Sequence, residues 1–215
     1  GGAGHSGEIV RHLNESGMLI GIDQDQKAIK VAYERLQGVK PQVKLFRRNF
    51  IHLREILNEL GVKKVDGILF DLGVSSPQLD EGERGFSYRN DAPLDMRMDQ
   101  SQPFSAAHLV NTAEAEELAE IFWKYAEERW GKRIAQFIVD YRREKSIETT
   151  GQLAEIIKNA IPAAARRSGP HPARRVFQAL RIAVNNELGV LEEVLGLATA
   201  VLNPGGRLAV ISFHS

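Results

Sequence analysis

Apolar and polar positions change period several times along the chain. Met18-Leu19-Ile20-Gly21-Ile22 is a near-continuous apolar run closed by Asp23, the pattern of a strand buried on both faces of a parallel sheet. Val43-Lys44-Leu45-Phe46 and Val65 to Phe70, the latter closed by Asp71, read as further strands. Helices are expected between them: a short one over 7–15 stopped by Gly17, one over 25–37 with Ala28, Ile29, Ala32 and Leu36 on one side, and one over 52–60. Short strands alternating with helices give an α/β fold with a parallel sheet.

The alternation breaks at residues 73–103, which are rich in Gly, Pro, Ser and Asp and predict irregular structure. Thr112, followed by Glu114, Glu116 and Glu117, predicts a helix start, with helical pattern continuing toward residue 143. Thr149 with Gln152 fits a capping box, and Pro162 ends the helix it opens. Pro172 suits the first turn of a helix with Val176, Phe177, Leu180 and Val184 on one side. Arg174, Arg175, Gln178, Arg181 and Asn185 are left to face elsewhere. A helix over 188–201, the turn Asn203-Pro204-Gly205-Gly206 and a strand over 207–212 complete the pattern. The expected plan is a core over residues 1–99, a mostly helical insertion over 100–170, and the rest of the core over 171–215.

The 215 residues suffice for one domain carrying a large insertion, and a 43% hydrophobic, 26% charged composition is ordinary for a globular protein. The formal net charge is zero, but residues 129–185 hold twelve Lys and Arg against four acids. Such a stretch either faces phosphates or is a solvated helical surface. The absence of cysteine removes disulfides, Cys-based zinc sites and a Cys nucleophile, and no metal is expected. No apolar run approaches the roughly 20 residues of a spanning helix, and no signal peptide is visible, so a cytoplasmic location is the expectation. The chain opens inside a glycine turn and closes after an apparent strand, so a preceding strand and further chain beyond Ser215 are expected.

In an open parallel sheet ligands bind beyond the carboxyl ends of the strands. The glycine turn Gly2-Ala3-Gly4-His5-Ser6-Gly7, Asp23 and Asp71 all fall there. The turn matches G-x-G-x-x-G and Asp23 lies near the distance at which a ribose-binding acid follows it, so the pattern fits a nicotinamide dinucleotide as well as S-adenosylmethionine. The loop Asp71-Leu72-Gly73-Val74-Ser75-Ser76-Pro77-Gln78 favours the second: an acid at a strand end followed by Ser and Pro loosely resembles the active-site loops of amino-methyltransferases.

The chain further resembles the bacterial 16S rRNA (cytosine-N4)-methyltransferase family (RsmH/MraW). The matching stretches are Gly4-His5-Ser6, Asp71 to Asp80, Glu83-Arg84-Gly85-Phe86-Ser87, Pro93-Leu94-Asp95-Met96-Arg97-Met98-Asp99, His171 to Arg181, Pro204 to Arg207 and Ile211 to Ser215. The resemblance implies a class I S-adenosylmethionine-dependent methyltransferase core (a Rossmann-like parallel sheet) with an inserted helical RNA-recognition domain. It implies S-adenosylmethionine as cofactor and 16S rRNA of the small ribosomal subunit as substrate. Cofactor contacts map onto Ala3, Gly4, His5, Asp23, Phe50, Asp71 and Gln78. Where many members have Arg-Gly-Gly this chain has Gly2-Ala3-Gly4, and Ala3 resists the positive φ such a turn calls for. A homodimer is among the open readings of its assembly.

Cytosine N4 is a weak nucleophile, so positioning carries much of the catalysis. Asp71, Ser75 and Ser76 are the candidates for aligning cofactor and amine, and His214 is a candidate at the target base; Asp71 serving the cofactor alone and His214 serving only structure are the bland readings. Arg97, Arg174, Arg175 and Arg181 are candidates for RNA contact; the alternative for the last three is pairing with acids of the core, and the stretch Asp95 to Asp99 either orders the loop over the site or packs the insertion against the core. Three other classes stand against this reading. A nicotinamide oxidoreductase lacks an identifiable hydride-transfer pair, a non-catalytic RNA-binding or assembly protein would not need Gly4, Asp23 and Asp71, and a small-molecule methyltransferase would not need the basic stretch.

Overall fold

The structure is a computed structural model and describes residues 2–75, 78–79, 81–167 and 171–213. The chain divides into two compact units, Gly1–Ser75 with Glu187–Ser215, and Ser76–Asn186.

The first unit opens with α1 (Gly4–His12), then β1 (Met18–Asp23), α2 (Gln26–Arg35), β2 (Gln42–Arg47), a 3-10 turn (Phe50–His52), α3 (Leu53–Glu59) and β3 (Val65–Asp71). Helix α1 starts three residues before its expected position because Ala3 turns the chain at φ 60°, ψ 25°. It ends where Leu13 becomes extended, and Gly17 N–H then closes a turn on the Asn14 carbonyl. Asp25 caps α2 by accepting from Lys27 N–H, and Asn49 caps the 3-10 turn by accepting from Ile51 N–H.

β1 pairs with β2 in parallel, Met18 opposite Gln42 through Asp23 opposite Arg47. β3 pairs in parallel with β4 (Leu202–Ile211). The single expected sheet is therefore resolved, among the described residues, into two parallel pairs. The register of the second pair slips between Val65 and Gly67, because the turn at Asn203 to Gly206 loops out of the ladder. Asn203 Nδ2 donates to Asp66 across that slip at 2.7 Å, and Gly205 supplies φ 81°.

The period-2 direction of side chains divides the core of this unit. Leu19, Val43 and Leu45 pack with Ala3, Val10, Ala32 and Leu36 on one side. Ile20 and Ile22 pack on the other with Phe70, Leu53 and Leu57, joined by Val194, Ala198 and Val201. Val190, Val194 and Ala198 recur every four residues on α9 (Glu187–Ala200) and form its buried stripe. Each fully buried Val or Leu is worth about 1.5–3 kcal/mol.

The second unit holds α4 (Ala106–Thr112), α5 (Ala115–Ala126), α6 (Gly131–Arg142), α7 (Thr150–Ala160) and α8 (Ala173–Val184). Thr112, expected to start a helix, ends α4 instead, and α5 starts three residues later. The helical stretch expected from there toward residue 143 is broken once, where Glu127 stops α5 in the left-handed region at φ 47°. The capping box of α7 forms as expected, Thr149 accepting from Gln152 N–H. Residues 100–170, the expected insertion, fall inside this unit, and so does α8. That helix buries Val176, Phe177, Leu180 and Ile182 and packs on α4, α5 and α7, so it belongs to this unit and not to the second part of the core as expected.

Residues 85–102 are irregular but fixed. Gly85 sits at φ 70° where a Cβ would lie 2.3 Å from the Pro93 carbonyl oxygen, so no other residue fits. Met96 takes φ 61° with its side chain 0% exposed. Asn185, expected on the polar side of its helix, is buried instead. Its Oδ1 accepts from Met98 N–H, and its Nδ2 donates to the carbonyls of Met96 and Arg181, each at 2.8 Å.

Candidate functional site

The carboxyl ends of the parallel strands in the first unit gather its candidate residues. β1 delivers Asp23, β3 delivers Asp71, and the chain leaving β2 delivers Phe50. Ala3, Gly4 and His5 form the turn that opens α1. The Nδ1 of His5 meets Asp71 Oδ2 at 3.0 Å, which ties the glycine turn to the end of β3 across 66 residues of sequence. This pair is half exposed, so its worth is positional rather than energetic.

Ala3 accepts the strained φ and is nonetheless buried, packing with Val10, Ala32 and Leu36. The left-handed conformation costs a residue with a Cβ about 1–2 kcal/mol. Backbone strain retained at a turn over a candidate site points to a conformation the site requires. α1 has no side-chain cap, and its first turn holds no acid. Its first N–H groups are therefore offered to a ligand acceptor. A Cβ at Gly4 would meet nothing within 4 Å, so the space beside this turn is open.

Asp23 Oδ1 accepts from Asp25 N–H at 2.8 Å, which fixes the carboxylate at the top of β1. Gln24, next along, accepts from Asn49 Nδ2 and so links the loops after β1 and β2. Phe50 lies 5.4 Å from Phe70, ring centre to ring centre, and packs on the core, partly buried. It combines the bland packing role with a face at the strand ends. Ser75 closes the first unit, four residues beyond Asp71. Ser76 and His214 lie outside the described residues.

The remaining candidates lie in the second unit. Gln78 is buried there. Arg97 is committed within its own turn: Nε and Nη2 clamp both oxygens of Asp95 at 2.7 and 2.8 Å, and Nη1 donates to the carbonyls of Gln100 and Gln102. Burial pushes the Asp95 carboxyl up, but hydrogen bonds from the Arg97 side chain and backbone outweigh it and hold the group below its ordinary range. The Asp95 hydrogen bond raises Arg97 in turn. Arg84, buried, donates to the carbonyls of Arg97 and Met98 and braces the same turn. Arg174 and Arg175 are exposed on the first turn of α8, where Arg175 also donates to the Glu127 carbonyl; Arg181, two turns beyond Arg174 on the same side of the helix, is partly buried.

Three features escaped the sequence. The His5–Asp71 contact joins distant segments, and nothing local announces it. Arg84 and Asn185 are buried polar groups whose partners are backbone atoms, which no residue pattern encodes. The cleft around Trp130 and Arg166 forms only where three helix ends meet.

A family model described as the MraW methylase family matches residues 1–215. Among similar proteins, ribosomal RNA small subunit methyltransferase H of Symbiobacterium thermophilum is 60% identical over 215 residues, spanning 100% of this chain and 68% of that protein. The proteins of the same name from Brevibacillus brevis and Clostridioides difficile are 58% and 55% identical, over 100% of this chain and 68% and 69% of theirs.

Proposed function

The chain belongs to the MraW methylase family, and on that premise we propose that it transfers a methyl group from S-adenosylmethionine to the exocyclic N4 of a cytidine in 16S rRNA of the small ribosomal subunit. It is a methyltransferase of ribosomal RNA, as its relatives are named. The class I reading, a Rossmann-like core carrying a helical insertion, accords with parallel pairing in a unit whose two chain segments flank the helical one in sequence. No helix among the described residues is long and apolar enough to cross a membrane. A ribosomal substrate puts the enzyme's work in the cytoplasm.

The observation that carries this reading is the meeting of the glycine turn with Asp71 at the carboxyl ends of the strands, through His5. The residues there fit S-adenosylmethionine. The uncapped first turn of α1 offers N–H groups to the methionyl carboxylate, and Asp23 offers a carboxylate to the ribose hydroxyls. Phe50 gives the adenine an apolar neighbour. When bound, the cofactor supplies an electrophilic methyl group on a sulfonium. Asp71 and Ser75 do the work of orientation, holding the target amine by its N–H groups so that its nitrogen faces the methyl. Acceptors at those hydrogens also favour the positive charge that builds on nitrogen. Arg174, Arg175 and Arg181 hold the RNA; Arg97, whose donors serve its own turn, positions the loop.

The test incubates the protein with labelled S-adenosylmethionine and either 16S RNA or unmethylated 30S particles, followed by digestion to nucleosides. Labelled N4-methylcytidine is the expected product. Cofactor binding without label in either substrate would overturn the reading. Asp71→Asn separates the roles of that carboxylate: a lost single-turnover rate with intact cofactor affinity puts it at the amine, and lost affinity puts it at the cofactor.

A further inference from the structure

A cleft of about 270 Å³ opens in the second unit where the end of α5, the start of α6, the loop after α7 and the start of α8 meet. Its walls include Arg129, Trp130, Arg166, His171 and Arg175, with Glu128 as the carboxylate among them. Glu128 is buried and accepts from Trp130 N–H at 2.9 Å. The three guanidinium groups therefore outnumber the single acid.

The helices around the cleft invert the usual placement of charge. Acids favour the first turn of a helix and cations the last, because the N-terminus carries a partial positive charge. α5 follows that rule with Glu116 and Glu117. α6 opens instead with Gly131-Lys132-Arg133 and α8 with Ala173-Arg174-Arg175, with no acid in either first turn and no side-chain cap at either start. Glu128 takes the N–H groups of Trp130 and Gly131, and His171 those of Ala173 and Arg174, so what sets these two ends apart is cations gathered at the positive ends of two dipoles, an arrangement that opposes folding and suits an anion. Arg166 adds to this: its Nε is buried without a hydrogen-bond partner among the described residues.

The His171 ring at the cleft is held from behind. Tyr88 stacks on His171 at 4.3 Å with the planes 8° apart, and meets Phe177 edge-on behind it. Ala173 N–H donates to His171 Nδ1, which leaves the ring proton to Nε2. A braced imidazole and an indole beside three guanidiniums combine stacking surfaces with phosphate donors, the two requirements of single-stranded RNA.

We propose that this cleft binds a single-stranded segment of the substrate RNA, with Arg129, Arg166 and Arg175 on the phosphodiester and Trp130 against an adjoining base. The proposal rests on the reading of the chain as an rRNA methyltransferase and extends the RNA contact of Arg175 into a cleft of the same unit, where phosphate and base are held together.

The test measures binding of a single-stranded oligoribonucleotide to the protein by anisotropy across a range of salt. Arg166→Gln with Arg175→Gln should weaken binding about tenfold and lower the salt slope by roughly 0.7 for each phosphate no longer neutralised. Because Arg175 also holds the Glu127 carbonyl, Arg129→Gln on the exposed rim is measured beside it and should lower the slope without changing the fold. In a Trp123→Phe background Trp130 is the sole tryptophan, and its fluorescence should be quenched by the oligonucleotide but not by inorganic phosphate. Unchanged affinity and slope in both Arg variants, or no quenching of Trp130, would overturn the proposal. The two readings fail separately. Cleft-dependent RNA binding without methyl transfer would sink the enzymatic reading alone, and methyl transfer with KM for RNA unmoved in the variants would sink the cleft alone.

Discussion

Asn185→Ala removes the side chain that holds the Pro93 to Asp99 turn onto α8. The amide is 7% exposed and makes three hydrogen bonds. One of these costs little to lose, since the Arg181 carbonyl keeps the backbone N–H of residue 185. The other two are taken from Met98 N–H and the Met96 carbonyl, both on buried residues. Each such loss costs about 1–3 kcal/mol, so the expected total is about 2–4 kcal/mol after partial relaxation. Met96 makes recovery harder, because its left-handed φ of 61° persists only while neighbours enforce it. Both tryptophans of the chain, Trp123 and Trp130, lie in the second unit, so their fluorescence in urea reports its unfolding. With an m-value of roughly 1.5 kcal/mol per M, the midpoint should fall by about 1.3–2.7 M. Arg174→Ala on the exposed first turn of the same helix is the control and should move it little. A loss in Asn185→Ala below about 0.5 kcal/mol would refute the argument, because it would mean that the turn is held by packing alone.

Three further outcomes are expected. Gly85→Ala should destabilise the second unit by more than about 3 kcal/mol, since a Cβ there meets the backbone of Pro93 to Asp95; near-normal urea unfolding would contradict this. The Asp95 carboxyl is held below its ordinary range in the folded protein, so its contribution is complete above the unfolded value near about 3.9 and is lost as pH falls through the folded value. The stability gap between wild type and Arg97→Gln should therefore be full at neutral pH and shrink below about pH 4, and a gap that stays constant would exclude the ion pair as its source. Ala3→Gly should be close to neutral: relief of about 1–2 kcal/mol of strain is offset by a lost buried methyl and by glycine's added freedom in the unfolded chain. Ala3→Val should cost more than about 2 kcal/mol and weaken cofactor binding, because a β-branched residue resists the left-handed region; equal melting temperatures for the two variants would be inconsistent with strain at that position.

Much of this protein is written locally. The near-continuous apolar run Met18 to Ile22, and Val65 to Phe70 with only Asp66 and Gly67 interrupting it, set strands because apolar runs of that length are too short for a helix and end in an acid, although both strands are only partly buried. Thr149 and Gln152 set a helix start because the two side chains satisfy each other's backbone at a fixed spacing. The acids closing β1 and β3 were legible as candidates because each ends an apolar run, and both stand at the carboxyl ends of their strands. Tertiary structure decided what no short window contains. Pairing of β3 with β4 closes over more than a hundred residues of sequence, so partner and register depend on the whole unit. The partition of Arg97 and Asn185 into internal braces depends on which carbonyls reach them, and backbone carbonyls carry no residue identity. The cluster of Arg129, Trp130, Arg166 and Arg175 exists because separate helix ends converge. Sequence shows only that those charges are present; packing puts them on one cleft.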